Sequence, residues 1–282
     1  MEHRYTADFK VHSYEVDAWG ELSTQMLAAY MEQTAWEASD AAGFGNAWYT
    51  EQNAAWVIHR LTLARLGRIA YMDAVTVESW ISSIGRVRLS REYMVRGPDG
   101  EPIAAGRADW VYMDRVKLVP KGIDRKITET FQTMAPNPLL VPPAVEPAAA
   151  QGRLFTATRR TRRYEADSMG HTNNTVYLAW LDEARDDALD EAGLPLAPPG
   201  KPGLRLRGVW YVVEYARSAM PGDELEIAVR FSGTIDGEQL ECRQEITRAG
   251  DETPLVRCTS RQQVLGLEQS SATAGDLVGA LV

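Results

Sequence analysis

The chain has 282 residues, of which 45% are hydrophobic and 24% charged, and its formal net charge is −9. That length suits two medium domains, the composition excludes a fibrous or wholly disordered chain, and the acidic balance argues against a general nucleic-acid binder. No apolar run approaches the ~18 residues of a membrane-spanning helix, and the first residues lack the apolar core of a secretory signal. Cys242 and Cys258 are the only cysteines and read as buried thiols, not a disulfide framework. The expectation is a cytoplasmic protein with neither nucleic-acid nor membrane partners.

In chain order, Tyr14 to Gly20 (Y-E-V-D-A-W-G) leads into a helix. Ser23 or Thr24 can cap it, Met26, Leu27, Tyr30, Met31 and Thr34 share one face, and Gly43 ends it. Residues 74–80 (A-V-T-V-E-S-W) alternate with period two, as a half-buried strand does, and 97–100 (G-P-D-G) mark a hairpin turn. Residues 135–152 hold five of the 14 prolines and read as a stiff connector. Beyond it, 164–170 (Y-E-A-D-S-M-G) leads into a second helix. Asn173 or Asn174 can cap it, Val176, Tyr177, Trp180, Leu181, Ala184 and Ala188 form its apolar face, and Gly193 closes it. Residues 224–229 (E-L-E-I-A-V) alternate again, 249–251 turn, and the Ser-, Ala- and Gly-rich tail is expected to be mobile.

The halves repeat one another. Asp17 and Asp167, Gly20 and Gly170, and Asp73 and Asp223 are each 150 residues apart. A period that long is a duplicated domain and no solenoid. Residues 1–134 and 153–267 are therefore the expected domains, with 135–152 as linker and 268–282 as tail. A long amphipathic helix followed by about five antiparallel strands, twice, gives the expected fold class: α+β, a tandem hotdog in which each helix is wrapped by its sheet.

The chain carries no G-x-S-x-G elbow, no P-loop and no G-x-G-x-x-G turn, and its four histidines are scattered, so no metal or organic cofactor is expected. Chemistry-bearing groups concentrate at Asp167-Ser-Met-Gly-His-Thr-Asn-Asn174, immediately before the second helix. Unpaired N–H groups at a helix start favour negative charge and can hold an oxyanion. Asp167 can activate water or attack directly, and His171 can orient it or the substrate. A turn and cap alone would use several of the same residues. The first half keeps Asp17 and Gly20 but has Glu21 in place of His171, as expected of a duplicated enzyme with one working copy.

The run D-S-M-G-H-T-N-N-T-V-Y-L-A-W-L-D-E-A-R resembles the helix-start motif of hotdog thioesterases, D-x-x-G-H-x-N-N-x-x-Y. With V-H-S-Y-E-V-D-A-W-G (11–20), W-V-I-H-R-L-T-L (56–63), D-A-V-T-V-E-S-W (73–80), A-D-W-V-Y-M-D (108–114) and V-E-Y-A-R-S-A (213–219), the chain resembles the acyl-ACP thioesterase family over residues 8–265. The resemblance implies catalysis by Asp167 and His171 in the second half, with Gly170, Asn173 and Asn174 at the helix start, and an acyl pocket mainly in the first. Two positions depart from the plant pattern: Met169 replaces an asparagine, and Ser218 and Ala219 replace an adjacent glutamate and cysteine, which rules out a cysteine nucleophile there. The expected reaction is hydrolysis of a fatty acyl thioester of acyl carrier protein or coenzyme A, by a monomer or homodimer. A hydratase of the same fold and a non-catalytic acyl binder are the competing readings.

Met26, Met31, Trp36, Trp56 and Trp80 are bulky candidates for closing an acyl pocket, with core packing as the alternative. Arg153, Arg159, Arg160, Arg162 and Arg163 crowd ahead of the catalytic motif and form a candidate landing site for an anionic carrier, or else a solvated strand edge.

Overall fold

The computed structural model describes residues 4–141, 152–198, 200–235, 239–266 and 280–281. Most of the expected linker (142–151) and of the expected tail (268–279 and 282) therefore lies outside the described residues. The chain divides into two compact units, residues 1–141 and 142–282.

The first unit runs β1 (Tyr5–Lys10), α1 (Thr24–Ala41), α2 (Asn46–Glu51), β2 (Ala54–Arg65), β3 (Ala74–Ile84), β4 (Arg88–Arg96), β5 (Pro102–Asp114) and α3 (Arg125–Thr130). Its strands are antiparallel in the order β1-β3-β4-β5-β2. The second unit runs β6 (Leu154–Arg160), α4 (Val176–Glu191), β7 (Arg205–Tyr215), β8 (Glu224–Ile235), β9 (Gln239–Arg248) and β10 (Val256–Leu265). Its order, β6-β8-β9-β10-β7, is the same order one copy later. Each unit is a hotdog, and the chain is a tandem hotdog of the α+β class.

Helix α1 starts where Ser23 Oγ accepts the Met26 N–H at 3.2 Å, and it buries Leu27, Ala28, Tyr30, Met31, Thr34 and Ala35. Helix α4 starts at Val176, later than the asparagines suggested, and its N-cap Thr175 makes no side-chain cap bond. Asn173 instead closes the preceding turn, its Oδ1 accepting from the Thr175 N–H (2.8 Å) and hydroxyl (2.7 Å). Tyr177, Leu178, Trp180, Leu181, Ala184 and Ala188 are buried, whereas Val176 is only half-buried.

Backbone pairing reproduces the repeat. Leu22 N–H donates to Ile69 C=O and Thr172 N–H to Ala219 C=O; Val11 N–H donates to Asp73 C=O and Thr161 N–H to Asp223 C=O. The units differ beyond the first helix. Among the described residues helix α2 has no counterpart, and 195–202 carries Pro195, Pro198, Pro199 and Pro202, which disfavour a helix. The start of the expected linker is held down: Ala135 C=O accepts from Trp80 Nε1 (2.9 Å), and buried Asn137 donates to Tyr93 C=O (2.7 Å). In the stretch expected as a mobile tail, Leu281 is buried and its carbonyl accepts from Arg153 N–H.

Candidate active site

The turn before α4 is built around one carboxylate oxygen. Asp167 Oδ1 accepts the N–H groups of Met169 (2.8 Å) and His171 (3.3 Å), while Asp167 N–H donates to His171 C=O (2.8 Å) and Gly170 N–H to Asp167 C=O (3.0 Å). Gly170 sits at φ +80°, a left-handed conformation that favours glycine. The first unit has the same turn: Asp17 Oδ1 accepts from Trp19 (2.9 Å) and Glu21 (3.0 Å), and Gly20 is at φ +76°. Asp167 and Asp17 are therefore both turn-forming carboxylates.

The copies differ in what the turn leaves over. In the first, Glu21 is buried and lies 3.5 Å from Arg68. In the second, His171 is half-buried and, among the described residues, its imidazole has no protein partner. Asp167 Oδ2 likewise takes no hydrogen bond among them. An accounting of N–H groups narrows the oxyanion donors. Gly170 and His171 donate to Asp167, Thr172 to Ala219 C=O (2.9 Å) and Asn173 to Glu165 C=O (2.9 Å). Of the five from Gly170 to Asn174, only Asn174 N–H has no acceptor among the described residues, and its carbonyl is held by Tyr215 Oη at 3.1 Å.

Beneath the turn, buried Glu165 accepts from Arg159 (2.6 Å), Arg162 N–H (2.6 Å) and Trp180 Nε1 (3.2 Å). The Arg159 guanidinium lies 4.1 Å from the Trp180 ring centroid. The first copy builds the same post: Glu15 accepts from His12 N–H (2.7 Å) and Tyr30 Oη (2.5 Å). Arg159 thus supports the turn. Of the other arginines before the motif, Arg153 pairs with Glu191 at 2.7 Å and Arg160 lies 3.5 Å from Glu224, whereas exposed Arg162 and Arg163 make no ion pair among the described residues.

The first unit has a pocket against its aromatic cluster, open to solvent, with about 400 Å³ of space when its mouth is included. Trp36, Trp56, Trp110, Tyr49 and Phe131 line it, with Ala35 from α1 and Leu89 and Arg91 from β4. Trp56 Nε1 donates to Tyr49 Oη (3.0 Å), which shares a hydrogen bond with Ser39 Oγ (2.8 Å). Arg91 is buried and donates to Ser79 Oγ (3.1 Å), and burial lowers its pKa below the usual arginine value. Met26, Met31 and Trp80 do not line this pocket. Met31 is buried beside Gly106, Trp80 is buried with its Nε1 held by Ala135, and Met26 is half-buried. Tyr49, Trp110 and Arg91 were not singled out as pocket residues from sequence; Arg91 stands between Ser90 and Glu92 in R-L-S-R-E-Y-M-V-R, where nothing local marks it as buried.

The second unit places a charged side chain at the matching helix position. Ala35 corresponds to Arg185, 150 residues on, which is buried and bonds Asp186 (2.6 Å), Asp182 (2.8 Å) and Gln262 (2.9 Å). Tyr211 Oη donates to Asp182 at 2.7 Å.

Comparison with known proteins follows the same division. The acyl-ACP thioesterase N-terminal domain profile matches residues 2–131, and the thioesterase-like superfamily profile matches 161–275. The first unit thus matches the acyl-ACP thioesterase N-terminal domain and the second the thioesterase-like superfamily. A palmitoyl-acyl carrier protein thioesterase of Arabidopsis thaliana chloroplasts is 24% identical over 194 residues, 64% of this chain and 47% of that protein. An oleoyl-acyl carrier protein thioesterase from the same plant is 23% identical over 200 residues, 64% of this chain and 53% of that protein. The chain thus spans about half the length of the curated family members it matches. Among solved structures, a 12:0-ACP thioesterase of Umbellularia californica superposes with a TM-score of 0.75 at 19% identity, covering 93% of this chain and 94% of that one. An acyl-ACP thioesterase of Bacteroides thetaiotaomicron gives 0.72 at 19% identity, covering 93% and 98%. The acyl-ACP thioesterase fold accounts for both units. Among the described residues no helix is long and apolar enough to cross a membrane.

Proposed function

We propose that this chain hydrolyses fatty acyl thioesters of acyl carrier protein to free fatty acid and carrier thiol. The observation that carries the assignment is the asymmetry of the two turns. The same turn holds Asp17 and Asp167, and Oδ2 of each accepts no hydrogen bond among the described residues, but the second turn adds the His171 imidazole and the Asn174 N–H, neither with a protein partner among them.

In the proposed reaction Asp167 Oδ2 removes a proton from water, and the resulting hydroxide adds to the thioester carbonyl carbon. The oxyanion accepts from Asn174 N–H. Collapse of the tetrahedral species breaks the C–S bond, and the departing thiolate takes the proton held on Asp167. His171 orients water or the carbonyl. Positioned acid–base catalysis contributes about 10²–10⁴-fold and an oxyanion donor about 10²–10³-fold. The pocket of the first unit holds the acyl chain, at about 0.8 kcal/mol for each methylene buried.

The reading is tested by thiol release from acyl-ACP and acyl-CoA panels of graded chain length. Turnover of acyl-ACP with a chain-length optimum is expected. A stoichiometric acyl complex without thiol release, or a β-hydroxyacyl product still bound to its thiol, would contradict it.

A further inference from the structure

Residues 115–126 read R-V-K-L-V-P-K-G-I-D-R-K, five cations to one carboxylate in a chain of net charge −9. They follow β5 and run into α3. Asp114 is occupied within the turn, its Oδ1 accepting from Val116 N–H (3.0 Å) and Lys117 N–H (2.8 Å) and its Oδ2 from Asn53 (3.1 Å). Asp124 Oδ1 caps α3 through Lys126 N–H at 2.8 Å. Arg125 pairs with Glu129, but Lys117 and Lys126 are exposed and make no ion pair among the described residues. The loop before β4 lies alongside, Ile123 N–H donating to Arg86 C=O (2.9 Å), and it adds exposed Arg86 and Arg88.

Apolar side chains sit among these cations. Val116 is 78% exposed, Leu118 53% and Val119 49%. The same elements reach the pocket: Leu89 follows Arg88, Ile127 follows Lys126, and both line it.

We infer that this cationic, apolar-centred surface of the first unit is the docking site of an acidic partner protein, the acyl carrier protein of the proposed reaction, on whose reading the inference rests. A positive patch on a negative protein steers an acidic partner, and the apolar residues supply contact area once it has arrived. Arg153, Arg159 and Arg160 face carboxylates of their own, so the cluster ahead of the catalytic motif offers less free charge.

The test is the affinity of fluorescently labelled holo-acyl carrier protein by anisotropy, alongside hydrolysis of acyl-pantetheine. Reversal of Arg88, Lys117 and Lys126 to glutamate is expected to weaken carrier binding at least tenfold and leave acyl-pantetheine hydrolysis unchanged. The corresponding glutamine set should give a smaller loss, and Arg162→Glu with Arg163→Glu should stay within twofold of wild type. Unchanged carrier affinity in both triple variants, or a larger loss from Arg162 and Arg163, would overturn the assignment. So would equal losses on acyl-pantetheine, which would locate the effect in the pocket. Binding to phosphatidylglycerol vesicles that the triple reversal abolishes, with carrier affinity intact, would overturn it in favour of a lipid surface. The binding readout is independent of turnover. Carrier binding lost in the variants, with no thioester hydrolysed by wild type, would uphold the surface and sink the hydrolase reading.

Discussion

Asp186 shows how a half-buried side chain ties stability to pH. Burial, set against the pull of Arg185 and reinforced by Asp182, pushes its carboxyl up to about 6, from an ordinary 3.8. A folded chain that holds this proton more tightly than the unfolded chain gains stability below pH 4, and loses that gain as pH rises through 6. Asp186→Asn should therefore remove a slope of about 2 kcal/mol in unfolding free energy between pH 4.5 and 7. Urea titrations at the two pH values check it, and identical slopes in variant and wild type would contradict it. At this scale the sequence exposed Asp167, His171 and Gly170, because a carboxylate three residues before a glycine and ahead of a capped helix is a local pattern. It did not expose the consumption of N–H groups by Glu165 and Ala219, which depends on strands and loops far along the chain.

At the scale of elements, α1 and α4 were legible from their apolar stripes, and β3 and β8 from their alternation. Helices α2 and α3 have six residues each, too short for a period to register. The pocket escaped for a related reason. Alternation marks Leu89 and Trp110 as inward-facing but does not say whether the space before them is filled. What decides that is the residue the helix presents, Ala35 in α1 and Arg185 in α4. Ala35→Phe should therefore lower kcat/KM for the longest accepted acyl chains by about tenfold for each two carbons displaced, and spare short ones. A uniform loss across chain lengths would place the acyl chain elsewhere.

Across the whole molecule, duplication kept the scaffold and divided the roles. The turn, its glycine, the buried glutamate beneath it and the strand order recur 150 residues apart, and this much followed from the repeat in the sequence. The divergence lies in what the copies carry: an open aromatic pocket and a buried Glu21 in the first unit, a buried Arg185 and, among the described residues, a His171 imidazole without a protein partner in the second. The balance of charge is likewise uneven, since a chain of net charge −9 gathers five cations against one carboxylate at 115–126.

The central claim is that two carboxylates in the same turn do different work. Asparagine at either position still offers an amide oxygen to the two N–H groups that close the turn, so both variants should fold. The decisive measurement is thiol release from acyl-ACP by Asp167→Asn beside Asp17→Asn, with unfolding midpoints recorded for each. Asp167→Asn is expected to lower the rate by about 10²–10⁴-fold and Asp17→Asn to stay within twofold of wild type. Equal rates in the two folded variants, or a collapse confined to Asp17→Asn, would contradict it.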